Sequence, residues 1–247
     1  MLRTVIAAVA ACVAAPAAAA DWSGFYVGLH AGYGFGEADQ EALLSGQWSA
    51  EPAGLRNFVS ANWTADQEPE GVIYGVHGGY DHELGSGIVA GIEGEYTRLG
   101  MEDERATASL PSGFGPSYAF SNRVEVDHQI AARLKLGYDF GPILIYATGG
   151  YAFFNVDASA SVLSSGGYSK TGSIDKSTHG WVEGIGAEVP LRDHWSAHFL
   201  FIHTNFDKFD FATVYNPGST FTSPAYGENF ENDFEVNFLR LGFSYRL

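Results

Sequence analysis

Apolar side chains alternate with small or polar ones, at a period of two, through much of this chain. Between Phe25 and Phe35 one face carries Phe25, Val27, Leu29, Ala31, Tyr33 and Phe35. The other carries Tyr26, Gly28, His30, Gly32 and Gly34. A helical face would repeat every 3.6 residues, so this run is a strand. The same rhythm sets Val72, Tyr74, Val76 and Tyr80 against Ile73, Gly75, His77, Gly79 and Asp81, and Ile88, Ala90, Ile92 and Tyr96 against Val89, Gly91, Glu93 and Glu95. In the longest run, Val124, Val126, His128, Ile130, Ala132, Leu134, Leu136, Tyr138 and Phe140 oppose Glu125, Asp127, Gln129, Ala131, Arg133, Lys135, Gly137 and Asp139. Further strands fall at about 143–156, 179–190, 194–206 and 233–247, which makes eight.

The connections alternate in length. Short ones lie at 82–87, 141–142 and 191–193; long polar ones lie at 37–70, 99–122, 157–178 and 207–232. Short turns at one end and long loops at the other describe an all-β, eight-stranded antiparallel up-and-down barrel that crosses a membrane, with short periplasmic turns and four long extracellular loops. Loops of this length are uncommon inside one compact soluble domain. The last strand, with Leu239, Leu241, Phe243, Tyr245 and Leu247 on one face, is expected to close against the first and leave no free edge.

Which face meets lipid follows from the side chains. In the first strand the second face is mostly glycine, as suits an interior just wide enough for side chains. Elsewhere that face carries Glu93, Glu95, Asp127, Arg133, Lys135, Glu188 and Arg240, a mixed-sign set expected to pair inside. The apolar face then meets lipid, with Trp22, Phe25, Tyr80, Tyr138, Phe140, Trp195 and Tyr245 as an aromatic girdle near the turn end. Glu183 breaks the pattern: it falls on the lipid face with Trp181, Ile185, Ala187 and Val189, so either a bulge shifts the register or its carboxylate reaches the interface.

The N-terminus sorts the chain to export. Arg3 precedes an Ala/Val/Ile run from Val5 to Ala15, and Ala18-Ala19-Ala20 offers a small-residue cleavage site before Asp21. Residues 1–20 read as a signal peptide and 21–247 as the barrel, with lipobox processing at Cys12 as the competing reading. Cys12 is the single cysteine, so a chain cleaved after Ala20 carries no disulfide and no thiolate ligand. Loss of Arg3 takes the basic count from 13 to 12 against 29 acidic residues, a net charge of −17. That balance excludes nucleic acid as a partner, since phosphate binding needs a clustered basic surface.

Candidate chemistry is sparse. His30, His77 and His198 point inward; metal ligation is weighed against hydrogen-bonded interior histidines, and the second is favoured. His203-Thr204-Asn205 resembles a His-x-Ser pair, but Asn205 is no nucleophile, and Asp207, Asp210 and Ser196 do not complete a triad. No catalytic, metal or cofactor residue is therefore assigned. The loops hold Glu37, Asp39, Glu41, Asp66, Glu68, Glu70, Glu228, Glu231 and Asp233, with Trp48, Trp63, Tyr215 and Tyr226 among them. They read as a solvated mobile surface, or as contacts to divalent-bridged lipopolysaccharide or to an external ligand through loops 37–70 and 207–232.

The segments DWSGFYVGLHAGYGFG (21–36), YATGGYAF (146–153), GWVEGIGAEVPL (180–191) and FLRLGFSYRL (238–247) resemble the small outer-membrane β-barrel family of α-proteobacteria, the outer-membrane immunogenic or porin-family proteins, whose architecture is that of the OmpA transmembrane domain. The chain departs from that family at Leu247, where Phe is usual, at Leu200 and His203, where Glu and Tyr are common, and at Glu183. The resemblance implies fold and location, outer-membrane lipids and lipopolysaccharide as surroundings, and the barrel assembly machinery as a partner during biogenesis. It implies function poorly, because members differ chiefly in their loops. A non-enzymatic structural barrel is the expected role; a small channel and an adhesin or receptor acting through the loops are the competitors.

Overall fold

The computed structural model describes residues 21–247; the expected signal peptide at 1–20 and the competing lipobox at Cys12 lie outside the described residues. Eight long strands form the frame: β1 (Gly24–Gly46), β2 (Glu70–Gly85), β3 (Ile88–Ala106), β4 (Ser117–Asp139), β5 (Leu144–Ser164), β6 (Ser169–Pro190), β7 (Trp195–Phe206) and β8 (Tyr226–Arg246). Each pairs antiparallel with its chain neighbours, and β8 returns to pair with β1 from Tyr26↔Arg246 to Gly46↔Tyr226. The ring is closed, which removes both sheet edges.

Exposed apolar residues form a belt around one end of this ring. On β1 it runs from Phe25 (64% exposed) to Phe35 (38%), roughly 25 Å of height for strands tilted as in a membrane barrel. Phe25, Tyr80, Tyr138, Phe140, Trp195 and Tyr245 are exposed at its turn end, as expected. Trp22 is not among them. It is buried inside the turn end, where its ring lies beneath the Arg246 guanidinium. Across the belt, Tyr33, Tyr74, Tyr96, Tyr151 and Trp181 form an exposed aromatic ring on the opposite rim.

Above that rim the structure departs from the sequence expectation. The segments 37–70, 99–122, 157–178 and 207–232 are not chiefly loops. β1 continues to Gly46, β3 to Ala106 and β5 to Ser164, while β4 begins at Ser117, β6 at Ser169 and β8 at Tyr226. Strands of 19 to 23 residues far exceed the roughly ten that a bilayer requires. The physical reason is a change of solvent along one strand. Inside lipid the apolar face points out; in water it must point in. On β8 the inward face above the rim buries Phe230, Asn232, Phe234 and Val236, with Glu231, Asp233 and Glu235 outside. On β1 they are Ala38, Gln40 and Ala42, with Glu37, Asp39 and Glu41 outside.

On β4 the change is made by a β-bulge, since its register on β5 shifts between Val126 and His128. One extra residue reverses which face every later side chain occupies. Val124 and Val126 are therefore buried in the lumen rather than facing lipid. Asp127, expected inside, lies outside and pairs with Arg98.

Candidate functional site: the lumen and its outer mouth

Starting at the turn end, the lumen is filled in layers. Lys135 from β4 bridges Asp81 of β2 (3.0 Å) and Glu188 of β6 (2.9 Å), and Arg246 of β8 adds a contact to Asp81 at 3.3 Å. The Lys135 ammonium also sits 4.6 Å from the centre of the Tyr146 ring, a cation–π contact in a dry setting. Next come Arg133 and Arg240 with Glu93 and Glu95. Arg133 clasps Glu95 at 2.9 and 2.6 Å and also reaches Glu93, Arg240 joins Glu95, and Gln129 donates to the same carboxylate. Four cations thus meet four carboxylates, so each buried charge is answered, the condition under which such charges are tolerated. Of the expected set, Glu93, Glu95, Arg133, Lys135, Glu188 and Arg240 are brought together and Asp127 is not. Asp81 and Arg246 belong to the network as well, and their inward alternation was already readable.

Beside these layers stand the three inward histidines. His30 Nδ1 lies 3.3 Å from His77 Nδ1, His30 Nε2 is 2.9 Å from the Thr97 hydroxyl, and His77 Nε2 is 2.9 Å from the Ser244 hydroxyl. The His77 and His198 rings meet edge to face at 4.9 Å. Glycine makes this packing fit: a Cβ on Gly242 would lie 2.4 Å from the His198 ring, and one on Gly28 would lie 2.5 Å from the His77 ring. Among the described residues, no group of three His, Cys, Asp or Glu side chains is arranged to hold a metal.

Higher still, the lumen becomes an apolar core containing Ile73, Leu99, Met101, Phe154, Ile202 and Phe238, each at most 1% exposed. A polar rung follows: Asn122 donates to Gln40, Gln40 to Asn232, and Gln67 to the Asp103 carbonyl. The connection after β1 then folds back over the barrel as the helix α1 (Ala53–Trp63). Its Leu55, Val59 and Trp63 are buried, and Trp63 packs against Phe120 and Phe230. Trp48 and Trp63, expected as surface contacts, are 2% and 0% exposed. Spacing of Leu55, Val59 and Trp63 by four residues was the signal available for the helix.

At the mouth, Glu228 is buried rather than displayed. It accepts from Trp48 Nε1, Tyr168 Oη and the Thr213 hydroxyl, and it pairs with Lys170 at 2.5 Å. Burial and the neighbouring Glu228 carboxylate push the Tyr168 hydroxyl well above its usual range, so it stays a donor. Burial, and after it the hydrogen bond to Glu51, does the same for Tyr226.

On the outside, carboxylates line up across strands just above the lipid belt. Glu70 pairs in register with Glu102, Glu102 with Glu125, Glu125 with Asp157, and Asp157 with Asp175. Glu37↔Glu235, Asp39↔Asp233 and Glu41↔Glu231 repeat this between β1 and β8. Directly opposed like charges destabilise a sheet; Arg123, bound to Glu102 and Glu125, relieves part of the repulsion. Glu183 is exposed on the lipid face opposite His203 in an unbroken register, so no bulge turns it inward. His203 engages Asn237 at 3.0 Å, while Thr204 points inward and Ser196 donates to Glu188 inside the lumen. The His203 segment therefore assembles no nucleophile–base pair on the surface.

The model for the outer membrane protein β-barrel domain matches residues 4–246. The chain is 26% identical over 204 residues to the 31 kDa outer-membrane immunogenic protein of Brucella melitensis biotype 1, covering 82% of this chain and 79% of that protein. The Brucella suis biovar 1 protein of the same description gives the same figures. Among solved structures, outer membrane protein OprG of Pseudomonas aeruginosa aligns with a TM-score of 0.45 at 12% identity, over 91% of this chain and 97% of that one. The Escherichia coli outer membrane protease OmpT aligns with a TM-score of 0.46 at 8% identity, over 91% and 97%.

Proposed function

Because this chain belongs to the outer membrane protein β-barrel family, we propose that it is a closed, non-enzymatic barrel that reinforces the outer membrane and carries a rigid, strand-built cap beyond it. The observation behind this reading is the filled lumen: paired charges, then an apolar core, then α1 across the top. A water-filled pore needs a continuous polar path, and the layer around Met101 and Phe238 interrupts it. The imidazole–hydroxyl contacts of His30 and His77 are buried to 5% exposure or less, so a substrate has no approach to them. This supports a role without catalysis.

Contact with lipopolysaccharide follows from the acidic rungs. Bare carboxylates repel lipid phosphates, so the contact runs through divalent cations shared by both. The reading also includes removal of residues 1–20 on export and delivery to the barrel assembly machinery. Mass spectrometry of the mature protein is expected to place its N-terminus at Asp21; an acylated Cys12 would overturn that part. For the function itself, a deletion strain is expected to take up more hydrophobic dye and to become detergent-sensitive. Unchanged permeability on deletion would refute an envelope role.

A second reading, a surface receptor, is favoured by one observation: the cap is a shaped body with a cavity in it rather than a set of free loops.

A further inference from the structure

All four outer connections converge on one cavity of about 540 Å³ at the mouth of the barrel. The first supplies Trp48 and Glu51, the second Phe114, the third Tyr168 and the fourth Phe221, with Tyr226 at the start of β8. A volume of that order suits a small organic molecule, and barrel mouths are common places for one.

Its walls have a definite chemistry. Trp48, Tyr168 and Tyr226 stand edge-on to one another, with interplanar angles of 86°, 75° and 70° and ring centres 4.8 to 6.0 Å apart. Packed edge to face, these three rings are nearly buried in one wall of the cavity, and the exposed rings of Phe114 and Phe221 line it as well. Two carboxylates adjoin it, and they differ in state. Glu228 lies behind the wall, neutralised by Lys170 and saturated with donors. Glu51 lines the cavity, accepts only the Tyr226 hydroxyl, and forms no ion pair among the described residues. No lysine, arginine or histidine lines the space.

We propose that this cavity binds an organic cation of the quaternary ammonium or alkylated amine class, with its aromatic lining around the charged head and Glu51 supplying the counter-charge. Aromatic faces attract such cations through their negative π-surface, and the attraction grows where water is excluded. An anionic ligand would meet an unpaired carboxylate and no cation. A neutral apolar ligand would leave that carboxylate without a counter-charge at the edge of a partly dry site.

Choline and its neutral carbon isostere, 3,3-dimethylbutan-1-ol, separate these cases. Both are titrated against the refolded 21–247 barrel in phosphatidylglycerol nanodiscs, free of choline lipids, with binding read by saturation-transfer NMR. Choline is expected to bind at least tenfold more tightly than the isostere. Glu51→Gln is expected to weaken choline at least fivefold while leaving the isostere and the heat-dependent gel shift unchanged. Tyr226→Phe keeps the ring and is expected to retain binding. Equal affinity for the two probes, no binding of either to the folded barrel, or an unaffected Glu51→Gln variant would each overturn the proposal.

Discussion

Replacing Glu95 by Gln leaves the shape of the lumen intact and removes one charge from its balanced centre. The carboxylate accepts from Arg133 at 2.9 and 2.6 Å, from Gln129 and from Arg240. Arg133 and Arg240 are each 2% exposed, so neither can turn to water. With Gln at this position, two guanidinium groups share Glu93 alone and one positive charge is left over. Breaking a buried pair in this way costs about 3–5 kcal/mol. Glu93 already touches both arginines, which argues for the lower end, about 3 kcal/mol. Arg240→Met leaves the opposite excess and is expected to cost a similar amount. The double variant keeps one neutral pair, Arg133 with Glu93, and is expected to lose far less than the sum, with a coupling of about 2 kcal/mol or more. Urea titration of tryptophan fluorescence in lipid–detergent micelles, with the gel shift as the folding check, measures all four proteins. Single variants that cost less than about 1 kcal/mol each and add without coupling would refute the claim that charge balance governs this layer.

Three further outcomes follow from the cap and its acidic exterior. Trp63→Ala empties the space between Phe120 and Phe230 and is expected to cost about 3–5 kcal/mol within the cap. Protease cleavage between 47 and 63 should rise while the lipid-embedded strands stay protected, and unchanged cleavage would show that α1 is not held by this contact. The Asp157 carboxyl is held above its usual range, first by burial and then by Asp175 and Asp127. Its ionisation therefore opposes folding above that range, and stability should rise as pH falls from neutral into it. Asp157→Asn should be more stable than the wild type at neutral pH and should flatten that slope; a steeper slope would contradict the assignment. Millimolar Mg²⁺ should raise the melting temperature of the wild type more than that of an Asp157→Asn/Asp175→Asn variant, and equal shifts would remove the acidic rungs as the cation site.

The period-two pattern carried the ring itself. Eight strands, the inward charges other than Asp127 and the turn-end girdle other than Trp22 were legible because each rests on local alternation that lipid enforces on one face. The upper half was less legible because the meaning of the pattern inverts there. Glu37, Asp39 and Glu41 look like loop residues if charge is equated with coil, yet they are the outward face of a strand whose inward face is Ala38, Gln40 and Ala42. The bulge at Val126–His128 leaves no mark in composition, so Asp127 falls on the wrong side by a single residue. Trp48, Trp63 and Glu228 were visible as residues, but their burial depends on partners far away in the chain: Phe120 and Phe230 for Trp63, Tyr168 and Tyr226 for Trp48, and Trp48, Tyr168 and Lys170 for Glu228. Nothing local encodes those long-range contacts. The mouth cavity was wholly hidden, since it takes one piece from each of four connections.

Single-channel recording tests the filled lumen most directly. The refolded 21–247 barrel, verified by its gel shift and inserted in a planar bilayer, is predicted to remain silent across a range of voltages and salt concentrations. Reproducible conductance steps that scale with salt would mean a continuous aqueous path through the Arg133–Glu95 layer and the Met101–Phe238 core, and would contradict the closed-barrel account.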